Sequence, residues 1–289
     1  MKLIPGPASK ELGEKIAKLS KIEAIPITCK DHPDGESYIR INGEVEKEEI
    51  IIVQTTSPPQ DKRIIQLALI ADAAKRHGAK KITAIIPYLA YARQDKIFLK
   101  GEPISIQAIA KMLKAAGINK IITVNIHKKE TLKEFPIPAK TISAIPLLAE
   151  YFKKRGFEGA FTLAPDKGAT KLAKEAQKIL KGEYGYLEKH RDRYTGKIKI
   201  EKKKLNVKGK TVIIFDDIIS TGGTIIKAAE TLKTLGAEKI YAACVHPLLI
   251  GEAEKRILKA GVQEIIGTDS IPSKVSKVSL APILSKELK

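Results

Sequence analysis

The sequence predicts an α/β protein of two tandem domains, each a mainly parallel sheet flanked by helices. Three observations predict it. The 289 residues exceed one ordinary domain. Short β-branched runs of the kind buried in parallel sheets alternate with helix patterns, which implies right-handed crossovers. One phrase also recurs after Gly78, Gly117, Gly236 and Gly261, where a helix ends at glycine and a short polar link leads into an Ile-led strand.

In chain order, residues 1–60 read as short strands and turns. His32 to Ile41 holds a tight Asp34-Gly35 turn followed by an alternating strand, with Asp34 and Glu36 at the bend. Ile50 to Gln54 is a buried strand that Ser57-Pro58-Pro59 stops. A helix follows from about Asp61 to His77, with Ile64, Leu67, Ala68 and Ala71 at core-facing spacing. Pro103 to His127 aligns with Gly222 to His246 at a constant offset. Lys81 to Pro87 corresponds to Lys210 to Asp216, so the halves read as duplicated units in which the loop from Tyr88 to Gly101 answers to the one after Asp216. Prolines cluster between Pro138 and Pro146, which puts the boundary between domains 1–143 and 144–289. The tail, about 273–289, is expected to pack back on the N-terminal domain.

Composition limits the function classes. Hydrophobic content of 43% with 29% charged residues describes a soluble globular chain, and no apolar run reaches membrane-spanning length. No signal-peptide pattern opens the chain, and Cys29 and Cys244 suggest neither a disulfide framework nor zinc, so a cytoplasmic location is expected. The net charge of +19 invites a nucleic-acid reading, but 5% aromatic content with no Trp offers little for stacking on bases. A positive field equally suits a small anionic substrate, and the Lys, Ile and Glu richness suits a thermophile.

Chemistry concentrates at sheet edges. Lys210 to Ala228 begins as the strand run Val212 to Phe215, which is expected to stop at Asp216 and Asp217. A small-residue loop follows, Ser220, Thr221, Gly222, Gly223 and Thr224, and a helix starts at Ile225. A glycine-rich turn into a helix N-terminus gathers unpaired backbone N–H groups and suits an anion. Two carboxylates beside it would repel a phosphate but accept hydrogen bonds from a diol, so the pair of features describes a sugar phosphate. Arg93, Gln94 and Asp95 follow another strand and offer a fork, an amide and a carboxylate suited to a nucleotide. His127 and Asp166 close two further strands, where an imidazole and a carboxylate would help hold Mg²⁺ beside substrate oxygens. A lone strand-end histidine is more often structural. Leu187 to Leu205 alternates charge with no apolar period and reads as an exposed hairpin or as a lid that carries cations to the site.

In order and spacing, HPDGE, SPPQD, IPYLAYARQDK, the NIH strand end, APDKG, EKHR and VIIFDDIISTGGT resemble the ribose-phosphate pyrophosphokinases along nearly the whole chain. The resemblance implies two phosphoribosyltransferase-like domains. It further implies Mg²⁺-dependent transfer of the ATP diphosphoryl group to the C1 hydroxyl of ribose 5-phosphate, giving phosphoribosyl pyrophosphate (PRPP) and AMP. By the same resemblance Asp216, Asp217 and Ser220 to Thr224 bind ribose 5-phosphate, Arg93 and Gln94 contact ATP, and Asp34 and Glu36 read the adenine across a subunit interface. His127 and Asp166 ligate Mg²⁺, Lys189 and Arg191 stabilise the transition state, and the chain assembles as a dimer or larger. Departures are His32, where bacterial members carry Phe, and Asn125, where they carry Asp. Lys167-Gly168-Ala169 also replaces a double glycine. Two other classes compete: a PRPP-consuming phosphoribosyltransferase, which would need no ATP site, and a non-catalytic PRPP-sensing regulator or nucleic-acid binder. Retention of Lys189, Arg191 and His127 argues against the second.

Overall fold

A computed structural model describes residues 1–191, 198–201 and 205–288, with side chains for 1–187 and 205–288. The chain forms two compact units. The first takes Met1–Ser143, Ser270–Pro272 and Ser279–Lys289; the second takes Ala144–Asp269 and Ser273–Val278.

In the first unit, β1 (Lys2–Pro5) leads through α1 (Lys10–Ser20) to β2 (Glu23–Ala24). A hairpin follows, β3 (Ile27–Asp31) and β4 (Ser37–Ile41). Then come β5 (Glu49–Val53), α2 (Gln60–Arg76), β6 (Lys81–Ile86), α3 (Ser105–Ala115), β7 (Lys120–Val124) and β8 (Ala139–Ile142). The sheet order is β2-β1-β5-β6-β7-β8, and every pairing is parallel. Central strands of such a sheet are covered on both faces, which is why Ile50 to Val53 is an unbroken apolar run. Ile4, Ile52, Leu67, Ile70, Leu113 and Ile121 meet in its core.

The second unit repeats this plan. It runs through α4 (Ile145–Lys154), β9 (Phe161–Ala164), α5 (Thr170–Leu180), β10 (Tyr184–Tyr186) and a hairpin of β11 (Glu188–Arg191) and β12 (Ile198–Glu201). It continues through β13 (Thr211–Ile219), α6 (Gly223–Thr234), β14 (Lys239–Pro247), α7 (Ala253–Lys259), β15 (Ile265–Thr268) and β16 (Ser276–Val278). Its sheet, again all parallel, has the order β10-β9-β13-β14-β15-β16. Phe152 of α4 is fully buried, edge-on to Phe157, Phe215 and Tyr241 with ring centroids 5.5, 6.3 and 6.1 Å away.

The α/β architecture is as predicted, but two details correct the sequence reading. Strand order equates β5 with β13, β6 with β14 and β7 with β15, and it places each hairpin between corresponding strands. The expected alignment had equated β6 with β13 and β7 with β14, one unit out of step. Gly78, Gly117, Gly236 and Gly261 all adopt positive φ, from 80 to 110°, so the recurring phrase marks helix exits in both units and selects no register. The strand expected to stop at Asp216 instead runs on to Ile219, pairing Ile218 with His246 and Ile219 with Pro247.

The tail serves both units by turns. Ser276–Val278 adds the last strand to the second sheet, and α8 (Ala281–Lys286) packs on α1 in the first unit. No helix among the described residues is long and apolar enough to cross a membrane. Leu284 on α8 is fully buried. Leu284→Ala is expected to lower the unfolding free energy by about 2–5 kcal/mol with unchanged far-UV circular dichroism, as read by urea titration.

Candidate functional site

Where strand order reverses, successive crossovers leave in opposite directions and open a crevice at the strands' carboxyl ends. In the second unit that reversal lies between β9 and β13. Asp166, two residues past β9, and the segment from Asp216 to Gly222 therefore share one sheet edge.

The phosphate-type loop is short, because β13 continues through both acids. Only Ser220, Thr221 and Gly222 separate it from α6. Gly222 caps the helix at φ 79°, a left-handed conformation, and no side chain caps it. A Cβ there would lie 2.8 Å from Ile257 Cδ1, so glycine is required twice over. At Gly223 a Cβ would meet nothing within 4 Å, which leaves the first-turn N–H groups approachable from that side. The loop is braced from beneath. The Arg256 guanidinium donates to the Thr221 carbonyl (2.7 Å), Leu249 N–H to Ile219 O and Ile250 N–H to Ser220 O (both 3.0 Å). Sequence reasoning missed these braces, because Arg256 lies 35 residues from Thr221 with no pattern linking them.

The two acids are held by their own backbone: Asp216 accepts from Asp217 N–H and Asp217 from Ile218 N–H, each at 2.9 Å. Burial pushes the Asp216 carboxyl well above the usual carboxylate range, and the neighbouring charges of Asp217 and Asp166 push the same way. Beside it, its partner Cys244 on the neighbouring β14 is fully buried, and burial with the nearby Asp216 charge drives its thiol far up; it is not a nucleophile. Asp166 accepts from Gly168 N–H (2.9 Å) and Ala169 N–H (3.3 Å), capping the one-turn helix 167–169.

In the first unit the corresponding reversal lies between β1 and β5, and its own side chains fill it. Gln54, Thr55 and Thr56 are fully buried. Gln54 Oε1 accepts from Ala8 N–H (3.0 Å), Thr55 N–H donates to Ser9 Oγ (2.8 Å) and Thr56 Oγ1 donates to Tyr88 O (2.8 Å). The polar residues expected to bind a nucleotide sit one and two strands further along. Arg93 is exposed and Gln94 half-buried on the loop after β6; His127 is exposed after the neighbouring β7. Asp95 ties those loops together, accepting from Lys128 Nζ at 2.5 Å with its side chain 9% exposed. The Lys128 hydrogen bond holds its carboxyl below the usual range. Asn125 at φ 36° turns the chain before His127, a conformation Asn tolerates better than most residues. Asp34 and Glu36 stand exposed at the β3–β4 turn, where Asp34 accepts from Glu36 N–H (3.1 Å), and that hairpin packs on α2 rather than on the sheet edge. Lys189 and Arg191 lie on β11 opposite Ile200 and Ile198, and their side chains fall outside the described residues.

Among the described residues no group of three or more His, Cys, Asp and Glu side chains gathers into a metal cage. Asp166 presents one carboxylate at the open edge, the kind of donor Mg²⁺ takes when it keeps several waters and binds substrate phosphates.

Comparison with known proteins agrees along the chain. A family model described as the N-terminal domain of ribose phosphate pyrophosphokinase matches residues 1–117, and a phosphoribosyl transferase domain model matches 135–282. The ribose-phosphate pyrophosphokinase of Saccharolobus solfataricus is 44% identical over 272 residues, covering 94% of this chain and 93% of that one. That of Methanopyrus kandleri is 41% identical over 275 residues, with the same coverages. The crystal structure of phosphoribosylpyrophosphate synthetase from Mycobacterium smegmatis superposes with a TM-score of 0.89 at 30% identity, covering 99% of this chain and 97% of that one.

The raised Asp216 carboxyl makes its ionisation unfavourable in the folded state. Its contribution to stability is therefore intact below the unfolded value of about 3.9 and is lost as pH rises through the higher folded value. Asp216→Asn is expected to melt at a higher temperature than the parent at pH 7–8. The advantage shrinks to nothing below about pH 4, as a pH series of thermal melts checks.

Proposed function

The chain belongs to the ribose-phosphate pyrophosphokinase family, and from that premise we propose that it transfers the β,γ-diphosphoryl group of ATP to ribose 5-phosphate. The C1 hydroxyl oxygen attacks the β-phosphorus, the bond from that phosphorus to the α,β-bridging oxygen breaks, and AMP leaves while the hydroxyl gives up its proton. The observation that carries the reading is the pairing of an uncapped, glycine-entered α6 N-terminus with two carboxylates on the strand before it. The helix end receives the 5-phosphate through backbone N–H groups of Gly223 and Thr224 and the loop hydroxyls of Ser220 and Thr221. Asp216 and Asp217 accept from the ribose 2- and 3-hydroxyls, and those donors favour the ionised carboxylate that burial disfavours.

Arg93 and Gln94 take the nucleotide, with Asp95 as a positioning residue that holds Lys128, and with it the loop carrying His127. Asp34 and Glu36 offer acceptors to the adenine amino group. Mg²⁺, held by the nucleotide phosphates with His127 and Asp166, would neutralise phosphate charge. Lys189 and Arg191 add fixed positive charge where the transferring group bears its greatest negative charge. We also propose that the chain works as a homo-oligomer.

Incubation with ATP, Mg²⁺ and ribose 5-phosphate is expected to release AMP only when all three are present; AMP formed equally without the sugar sinks the proposal. Gly222→Ala is expected to raise KM for ribose 5-phosphate by at least about tenfold, since the strained turn and the Ile257 clash displace the first-turn N–H groups. Steady-state kinetics with each substrate varied should show KM for ATP changing far less. Changing Lys189 and Arg191 together to Ala should collapse kcat by roughly 10²-fold or more, with ribose 5-phosphate binding by calorimetry nearly intact.

A further inference from the structure

The exposed residues of α5 are all of one kind. Ala173, Ala176 and Leu180 are buried toward β9 and β10, and the residues left exposed on the helix are Lys171, Lys174 and Lys178. Lys167 on the one-turn helix before it and Lys181 at its C-cap are exposed as well. These lysines follow one another at intervals of four, three, four and three residues. Such spacing keeps side chains on one helix face, here in a file one lysine wide. From Lys171 to Lys181 the file runs about 15 Å. Among the described helices α5 alone exposes only lysines. The others mix in acidic, apolar or small residues, such as Glu11 and Glu14 on α1, Glu150 on α4 and Glu230 on α6.

The file works against the stability of its own helix. Like charges three and four residues apart weaken a helix, and Lys171 in the first turn opposes the helix dipole. Lysines that raise heat stability do so in networks with acids. Among the described residues Lys171, Lys174 and Lys178 have no ion pair or hydrogen-bonded side-chain partner. Glu175, the acid of α5, is half-buried and already engaged. Past the helix end one carboxylate is shared by two cations: Glu158 lies 3.8 Å from Lys153 and 3.6 Å from Lys181.

The chemistry of the file identifies its partner. Cations repeated along one line fit an anion extended in one dimension. The file holds no arginine, whose planar fork suits nucleic-acid recognition, and no aromatic ring on which a base would stack. Lysine binds phosphate as a point charge. Linear inorganic polyphosphate has that form: an unbranched chain of phosphates joined by anhydride bonds, charged along its length, without sugar or base. We propose that the outer face of α5 binds inorganic polyphosphate, an activity independent of the diphosphoryl transfer proposed above.

Fluorescence anisotropy of end-labelled polyphosphate titrated with the full chain tests it. The parent is expected to bind, with an affinity that falls as salt rises because counterions are released. Changing Lys171, Lys174 and Lys178 together to Gln is expected to weaken binding at least about tenfold. AMP release from ATP and ribose 5-phosphate by that variant stays at the parental rate, and it melts no lower than the parent. Removing the same charge elsewhere, with Lys18, Lys111 and Lys114 changed to Gln, is expected to cost less than about twofold, since distant exposed charges are screened. The single variants Lys171→Gln, Lys174→Gln and Lys178→Gln keep the test sound should the triple variant fold poorly. Each is expected to flatten the slope of log affinity against log salt by about one. A parent that ignores polyphosphate at low salt overturns the proposal. Equal losses in the two triple variants do so too, because net charge alone would then explain binding. A duplex RNA or DNA of matched charge that binds more tightly through the same three lysines overturns polyphosphate as the partner.

Discussion

Reversal of strand order in a parallel sheet is the constraint from which the rest of the molecule follows. Two neighbouring strands whose crossovers depart to opposite sides cannot have loops that cover their shared edge, so a crevice is built by topology before any side chain is chosen. Each unit contains one such place, between β1 and β5 and between β9 and β13. What differs is the filling. In the first unit a chain of fully buried amide and hydroxyl groups, Gln54, Thr55 and Thr56, satisfies the strand ends from within. In the second, the strand projects two carboxylates and a three-residue turn into the gap and leaves its helix end uncapped. One fold thus yields a closed edge and a ligand-ready edge through the residues that follow a single strand.

The electrostatics of the ready edge follow from the strand's extra length. Had β13 ended at Phe215, as its apolar run suggested, both acids would have lain in a solvated loop. Pairing with β14 as far as Pro247 holds Asp216 in the sheet beside the buried Cys244, and the side chain stays ionisable only at a cost. A ligand that donates hydrogen bonds there relieves that cost, whereas a second anion would add to it. The segment thus has two oppositely biased ends, one suited to hydrogen-bond donors and one to an anion, which is what the proposed sugar-phosphate ligand requires.

Much of this was legible in the sequence. The period-free apolar runs gave away buried parallel strands, the glycine after several helices marked their exits, and the order Asp216, Asp217, Ser220 to Thr224 marked the sheet edge on which the proposed site is built. What misled was repetition. Most of these units end their helix at a left-handed residue, often glycine, before similar strand residues, so Gly117 aligns as well with Gly236 as with Gly261. Register depends on which strands pair, a non-local property no local phrase records. The span of β13 was misread for a related reason: a run of residues signals burial, but strand length is set by the partner, here β14 at nine residues. Arg256 against Thr221 and Lys128 against Asp95 were invisible because each joins segments that follow different strands.

Those two cations show how a charge-rich surface is put to use. Arg256 stands on α7 and Lys128 on the loop after β7, each following a strand next to the one whose loop it braces. Arg256 donates to a carbonyl, so it neutralises nothing and leaves the loop's N–H groups pointing outward. Lys128 instead satisfies a carboxylate that is 9% exposed and would otherwise repel an incoming phosphate. Opposite chemistries reach the same end in each unit, a loop held in place by a cation from a neighbouring segment. On a chain with an excess of lysine and arginine, selectivity cannot come from positive charge alone, since that attracts any anion. Under the proposed function it comes from the two carboxylates, which favour an anion that brings hydroxyl donors with it.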